Sequence, residues 1–223
     1  IPDDAWTLAE AFWPGPLTLI LKKAASVPDC VTGGQDTVGI RVPAHPVALE
    51  LLREFAAKNP SRGGLAAPSA NKFGRISPTR AAHVDQELGD GVSLILDGGD
   101  CLVGIESTIV DLSRGAPVIL RPGAITAAQI ELVLGKPVVA ASAVHNSIDS
   151  TPRVSGSLAS HYAPRTPLAI LSLEAIEEKL AAGCCAVIVR DSKALPESLR
   201  QHADVSILAD EPASFAHDFY RVL

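Results

Sequence analysis

The sequence predicts an α/β protein, with a mixed sheet over most of its length and a small parallel-sheet unit at its end. Three observations carry this. From residue 1 to about 136, short aliphatic and β-branched runs closed by Gly or Pro alternate with amphipathic stretches. Two of those runs, "STIVDLS" and "PVILRPG", closely flank the turn "SRGAP", as an antiparallel hairpin requires. Beyond residue 166, β and α segments alternate strictly, the pattern of a parallel sheet with helices on its faces.

The elements follow in order. "DDAWTLAEAF" reads as an amphipathic helix, with Asp3 and Asp4 as capping residues and Trp6, Leu8 and Phe12 on one face. Strands are expected at 16–23, 37–43, 63–68, 93–99, 107–113 and 117–123, each ending at a Gly or Pro. Helices are expected at 46–57, 79–88 and 126–134. The last has Thr126 as N-cap and Gly135 as its stop. Residues 137–165 lose periodicity and gain Ser, Ala and Pro, so they read as a linker between a domain over 1–136 and a second over 166–223. The end of that linker, "SGSLASHYAP", carries a His-Tyr pair that a passive tether does not need. The second domain runs strand "PLAIL", helix "LEAIEEKLAAG", strand "CCAVIVRD", helix "PESLRQH", strand "VSILAD" and helix "PASFAHDFYRVL". There is no methionine, and both termini fall inside helical patterns. The sequence therefore reads as a fragment cut at both ends.

Composition narrows the function classes. With 47% apolar and 20% charged residues, the chain is an ordinary globular protein. A net charge of -6 argues against a whole-molecule electrostatic grip on nucleic acid, while leaving room for a local basic surface. Cys30, Cys101, Cys184 and Cys185 show no C-x-x-C spacing, so reduced structural thiols and a cytoplasmic setting are expected. No apolar run approaches the ~20 residues of a membrane span, and nothing resembles a signal peptide.

The chemistry-bearing stretches are four. In "GLAAPSANKFGRISPT", a strand-like run breaks at Pro68, and Ser69, Asn71, Ser77 and Thr79 follow among Lys72 and Arg75. Ser77-Pro78-Thr79 resembles a helix entrance, whose unpaired amides favour phosphate or carboxylate. A loop in which Ser77 caps its own helix and Asn71 supports a turn fits the same spacing. In "TVGIRVPAHP", Arg41 sits in an apolar strand, suited to a bidentate grip on an anion or to a surface ion pair. His45 beside it fits a helix cap or the surface. "GIESTIVDLS" offers Glu106 and Ser107, and "VILRPGAIT" puts Arg121 at a strand end, for a phosphate or a structural salt bridge. There is no G-x-S-x-G, no H-E-x-x-H and no Walker loop. No acid/base or nucleophile is assigned. An enzyme built this way works by holding and polarising a bound nucleotide.

In this order and spacing, "FWPGPLTLIL", "TVGIRVPAHP", "APSAN" with "FGRISPT", "ILDGG", "GIESTIVDL" and "LRPGAIT" resemble the YrdC-like threonylcarbamoyl-AMP synthases. "SGSLASHYAPRTPL" is similar to the linker of the two-domain branch, and the remainder to its C-terminal domain. The resemblance implies a mixed twisted sheet around a concave, positively lined cavity, plus a small Rossmann-like C-terminal domain. It implies condensation of L-threonine, bicarbonate and ATP, with Mg2+, to L-threonylcarbamoyl-AMP and pyrophosphate. A transferase complex then passes the threonylcarbamoyl group to tRNA adenosine beside the anticodon. Carried over position by position, Arg41, Ala67 and Ser107 match the threonine side. Ser69, Asn71, Ser77 and Arg121, with Ser155, His161 and Tyr162 of the linker, match the ATP side. The metal's ligands are left unassigned. One departure stands out: the family's basic K-x-R element would precede Ile1, so this stretch alone is expected to be inactive.

Three competing readings remain. The carbamoyl-transferring hydrogenase maturation proteins share YrdC-like domains, but their zinc-finger-like cysteine pairs and acylphosphatase module are absent here. An RNA-binding module is disfavoured by the acidic charge and by the lack of interleaved aromatics. The third is an inactive scaffold in the tRNA-modifying assembly.

Overall fold

The structure is a computed structural model and describes residues 1–60, 63–140, 152–156, 163–183, 185–190, 193, 195–201 and 204–223. Its helices are α1 (Asp3–Phe12), α2 (Asp29–Thr32), α3 (Pro46–Lys58), α4 (Ala81–Leu88), α5 (Ala127–Leu134), α6 (Leu173–Ala181), α7 (Glu197–Arg200) and α8 (Pro212–Val222). Its strands are β1 (Leu17–Lys22), β2 (Thr37–Ile40), β3 (Thr108–Asp111), β4 (Val118–Arg121), β5 (Val139–Ala140), β6 (Val187–Val189) and β7 (Val205–Ile207). The chain packs as two compact units that interleave along the sequence. One comprises Ile1–Ser69 with Glu106–Ala159, the other Ala70–Ile105 with Ser160–Leu223.

The first unit is built on a sheet of order β2-β1-β3-β4-β5. β1 runs antiparallel to β2 and parallel to β3, β3 antiparallel to β4, and β4 parallel to β5, so the expected mixed sheet is present. Strand alternation sorts its side chains. Leu17, Leu19 and Leu21 of β1, Val110 of β3, Leu112 just after it and Ile119 of β4 face one way. They bury Ala5 and Leu8 of α1 and Ile130 of α5. Ile20, Ile109 and Leu120 face the other way and take Val118 and Val154 against them. Helix α5 begins with a capping box: Gln129 N–H donates to the Thr126 hydroxyl, and the Gln129 side-chain oxygen accepts from Thr126 N–H at 2.8 Å. It ends at Gly135, which is left-handed at φ 64°, as its sequence predicts.

The β3–β4 hairpin holds one irregularity with consequences. Ile109 pairs with Arg121, yet Val110 pairs with Ile119, so Leu120 is an extra residue in β4. Such a bulge re-aims the side chain beyond it. Arg121 thereby lies across from Ile109, on the sheet face opposite α1 and α5. The hairpin's turn is held by Asp111, whose carboxylate, 1% exposed, accepts from Ser113 N–H and Oγ and from the Arg114 guanidinium.

The second unit contains the two-stranded parallel β6–β7 sheet with α4, α6, α7 and α8. Leu180, Val187, Leu195 and Leu208 are its buried apolar residues among those described. Glu211 caps α8, accepting from Ala213 N–H and Ser214 N–H. Gly104, at φ 76°, lies so close to α8 that a Cβ there would meet the His217 carbonyl oxygen at 2.3 Å.

Several expected elements differ. Residues 63–68, 93–99 and 167–171 form no strand. Leu94, Leu96 and Ile170 are exposed, and no neighbouring strand among the described residues provides a ladder for these runs. In α1 the N-cap is Pro2, with Asp3 and Asp4 inside the first turn. There their charge suits the positive helix end, and Asp4 pairs with Lys136 at 2.6 Å. The buried face of α1 is Ala5, Leu8, Ala9 and Phe12, whereas Trp6 is 56% exposed. The spacings of three, four and seven residues belong together, and Trp6 falls off that stripe. Cys184 lies outside the described residues, and Cys30, Cys101 and Cys185 are free thiols. No helix among the described residues is long and apolar enough to cross a membrane.

Candidate functional site

The polar centre of the first unit lies at the start of β3. Ser107, only 7% exposed, shares a hydrogen bond of 3.0 Å between its Oγ and the Thr18 hydroxyl of β1. Arg121 reaches the same residue from β4. Its Nε donates to the Ser107 carbonyl oxygen at 3.1 Å, and its Nη2 donates to that oxygen at 2.8 Å and to Ser107 Oγ at 3.0 Å. Its Nη1 donates to the Ser155 carbonyl oxygen at 3.2 Å, which ties the described part of the linker to this centre. The planar guanidinium fork makes such several-way bonding possible, where an ammonium would not.

The backbone around Ser107 leaves no slack. A Cβ on Gly123 would stand 2.5 Å from the Glu106 carbonyl oxygen, 2.6 Å from Thr108 N and 2.7 Å from the Ser107 carbonyl carbon. Ala124 N–H donates to the Glu106 carbonyl oxygen at 3.2 Å, and the buried Thr108 hydroxyl both donates to the Ile125 carbonyl oxygen and accepts from Ile125 N–H. The "RPG" turn thus seats the entry of β3 by direct backbone contact.

Arg41 follows β2 in the same unit. The residue is exposed overall, but burial around its guanidinium, and secondarily the Arg121 charge, lower its pKa from the ordinary arginine value. Arginine stays protonated at neutral pH regardless. Two cations, Arg41 and Arg121, therefore act within one field, a combination that favours an incoming anion.

Ala67 and Ser69 are exposed in the irregular run that ends the first segment of this unit. Asn71 and Ser77 belong to the second unit. There the Asn71 side-chain N–H2 donates to the carbonyl oxygens of Lys72 and Arg75, at 3.0 Å each, and so shapes the 71–75 loop. Its Oδ1 is buried with no partner among the described residues. The turn-supporting role is therefore present, and an unused acceptor remains beside it. Lys72 and Phe73 are exposed, and Gly74 accepts at its carbonyl oxygen from Ala163 N–H at 2.9 Å. His161 and Tyr162 lie outside the described residues. Among the described residues no group of three or more His, Cys, Asp or Glu could hold a metal ion.

Sequence reasoning overlooked Thr18, Gln35 and Gly123. Thr18 was legible as the one polar residue within the apolar run "LTLIL". The other two act through contacts with residues far along the chain.

The family model described as "Telomere recombination", Sua5_yciO_yrdC, matches residues 1–123. The chain belongs to the Sua5/YciO/YrdC family. The model described as "Threonylcarbamoyl-AMP synthase, C-terminal domain" matches residues 125–223. The threonylcarbamoyl-AMP synthase of Pyrococcus abyssi is 42% identical over 171 residues, covering 77% of this chain and 48% of that protein. The threonylcarbamoyl-AMP synthase of Bacillus subtilis is 44% identical over 170 residues, covering 76% and 47%. The chain thus spans about half the length of these curated relatives. The crystal structure of P. abyssi Sua5 complexed with L-threonine superposes with a TM-score of 0.82 at 34% identity, covering 99% of this chain and 64% of that one.

Proposed function

We propose that the protein synthesises L-threonylcarbamoyl-AMP from L-threonine, bicarbonate and ATP, releasing pyrophosphate and water, in the cytoplasm. The product serves threonylcarbamoylation of tRNA by a separate transferase complex. The observation that carries this reading is the Thr18–Ser107–Arg121 cluster, with Arg41 in the electrostatic field of Arg121. Family membership and the L-threonine complex of a similar structure add support.

In this reading Arg41 takes the threonine carboxylate, Ser107 Oγ orients the amino acid, and the backbone at Ala67 borders it. Ser69, Asn71, Ser77 and Arg121, with Ser155, His161 and Tyr162 of the linker, address ATP. Asn71 Oδ1, buried without a partner, is the acceptor on offer there. The threonine amine and bicarbonate condense to threonine carbamate with loss of water; the carbamate oxygen then attacks the α-phosphorus, and pyrophosphate leaves. The chain's contribution is to align the two reactants and to meet the developing negative charge with fixed cations. The domain division that fits this assignment is 1–136 for the chemistry, 137–165 as linker and 166–223 as a small α/β domain.

Mg2+ fits the reaction through the nucleotide, not through a protein cage: among the described residues no acidic or imidazole cluster is present to hold it. Such an ion usually keeps its waters and binds substrate phosphates.

The deciding experiment is calorimetry of L-threonine binding to the full-length protein and to its Arg41→Ala variant. Losing a charge-assisted hydrogen bond should weaken binding by about tenfold or more. Equal affinity of the two proteins would overturn the role of Arg41. Absence of saturable threonine and ATP binding, together with steeply salt-dependent RNA binding, would replace the synthase reading with an RNA-binding one.

A further inference from the structure

Residues 152–156, part of the linker, are seated on the first unit by contacts that composition does not foreshadow. Gln35 follows the short helix α2, where its backbone carbonyl accepts from the Thr32 hydroxyl at 2.8 Å. From there its side-chain amide meets the linker twice. Gln35 Oε1 accepts from Arg153 N–H at 2.6 Å, and Gln35 Nε2 donates to the Arg153 carbonyl oxygen at 3.2 Å. One side chain thus reproduces the two-way exchange of a strand pair. The Arg153 guanidinium donates to the Gly33 carbonyl oxygen at 3.3 Å, on the same turn.

The next two linker residues extend this seat into the polar centre. Val154 packs on Ile20, Ile109 and Leu120, on the sheet face opposite α1 and α5. The Ser155 carbonyl oxygen accepts from Arg121 Nη1, while the Nη2 of that same guanidinium holds Ser107 Oγ. A guanidinium is rigid and planar. Where the linker sits therefore constrains how Ser107 Oγ is held, and the reverse follows.

We propose that Gln35 is a positioning residue that clamps the linker at Arg153, and that Arg121 couples this clamp to the orientation of the Ser107 hydroxyl. The linker segment 152–156 is then a working wall of the amino-acid site. Linkage makes the coupling reciprocal: a ligand at Ser107 tightens the linker, and the seated linker tightens the ligand. The ligand part rests on the proposed threonine-binding role of Ser107; the clamp and its coupling do not.

The test uses the full-length protein, with amide hydrogen exchange and L-threonine calorimetry on wild type, Gln35→Ala, Gln35→Glu and Ser107→Ala. Gln35→Ala should speed exchange of the Arg153 amide on the order of five- to tenfold, the equilibrium worth of one hydrogen bond. Gln35→Glu keeps the acceptor and loses the donor, so it should restore most of that protection. Ser107→Ala should speed exchange at 153–155 through Arg121, which bonds both Ser107 Oγ and the Ser155 carbonyl oxygen. L-threonine should slow exchange there in the wild type, and Gln35→Ala should weaken its binding several-fold with an unchanged melting temperature. Unchanged Arg153 exchange in Gln35→Ala overturns the clamp. Faster exchange in Gln35→Ala with no response to Ser107→Ala overturns the coupling. If the wild type binds no L-threonine while both exchange effects appear, the threonine reading fails and the clamp stands.

Discussion

At Gly123, replacing a hydrogen by a methyl group would crowd the backbone that seats the centre. The added carbon would meet three backbone atoms of residues 106–108 between 2.5 and 2.7 Å, and backbone cannot swing aside as a side-chain tip can. Gly123→Ala should cost about 1–3 kcal/mol of stability, the usual price of overpacking, read by urea unfolding. It should also weaken L-threonine binding by displacing Ser107. Arginine at 121 is a second case where residue identity matters. Its sequence position alone leaves phosphate contact and structural bonding open; the structure shows Nε and Nη2 bonded to Ser107 and Nη1 to Ser155. At Asn71 the amide nitrogen holds the turn, while Oδ1 is buried with no partner among the described residues.

Among the elements, α5 was the most legible. Its Thr126 cap, its Gln129 partner and its Gly135 stop are local features, set by residues three or four apart and by one left-handed position. Thr126→Ala removes the capping box and should lower stability by about 1 kcal/mol, measured by urea unfolding, with ligand affinity unchanged. The β3–β4 hairpin was legible for the same reason, since its turn residues stand next to its strands. Its bulge was not, because one extra residue in a ladder leaves no mark in a run such as "PVILRPG". The runs at 63–68, 93–99 and 167–171 show the opposite failure. They carry strand composition, but an apolar run becomes a strand only where another strand offers its hydrogen bonds.

Across the whole molecule, burial is uneven. Leu8, Leu17, Leu19, Val110 and Ile130 of the first unit are 1% exposed or less, while the buried residues of the second unit are fewer and more exposed. Local opening should follow that difference. Amides of β1, β3 and β4 are expected to exchange at least about tenfold more slowly than those of β6 and β7, by hydrogen-exchange mass spectrometry. Similar rates in the two units would show that they open together. The division of the chain after Ser69 also falls inside the stretch "GLAAPSANKFGRISPT".

By itself, the sequence determined the α/β class, the mixed sheet, the hairpin, the cap and stop of α5 and the order of motifs that marks the family. All of these depend on residues close together in the chain, where spacing records the physics directly. Only the tertiary structure decided that a bulge turns Arg121 toward Ser107, that Thr18 completes that centre, and that Gln35 holds the linker at Arg153. Those contacts join residues up to 118 positions apart, and the hydrogen bonds that favour them exist only once the sheet has brought distant backbone together.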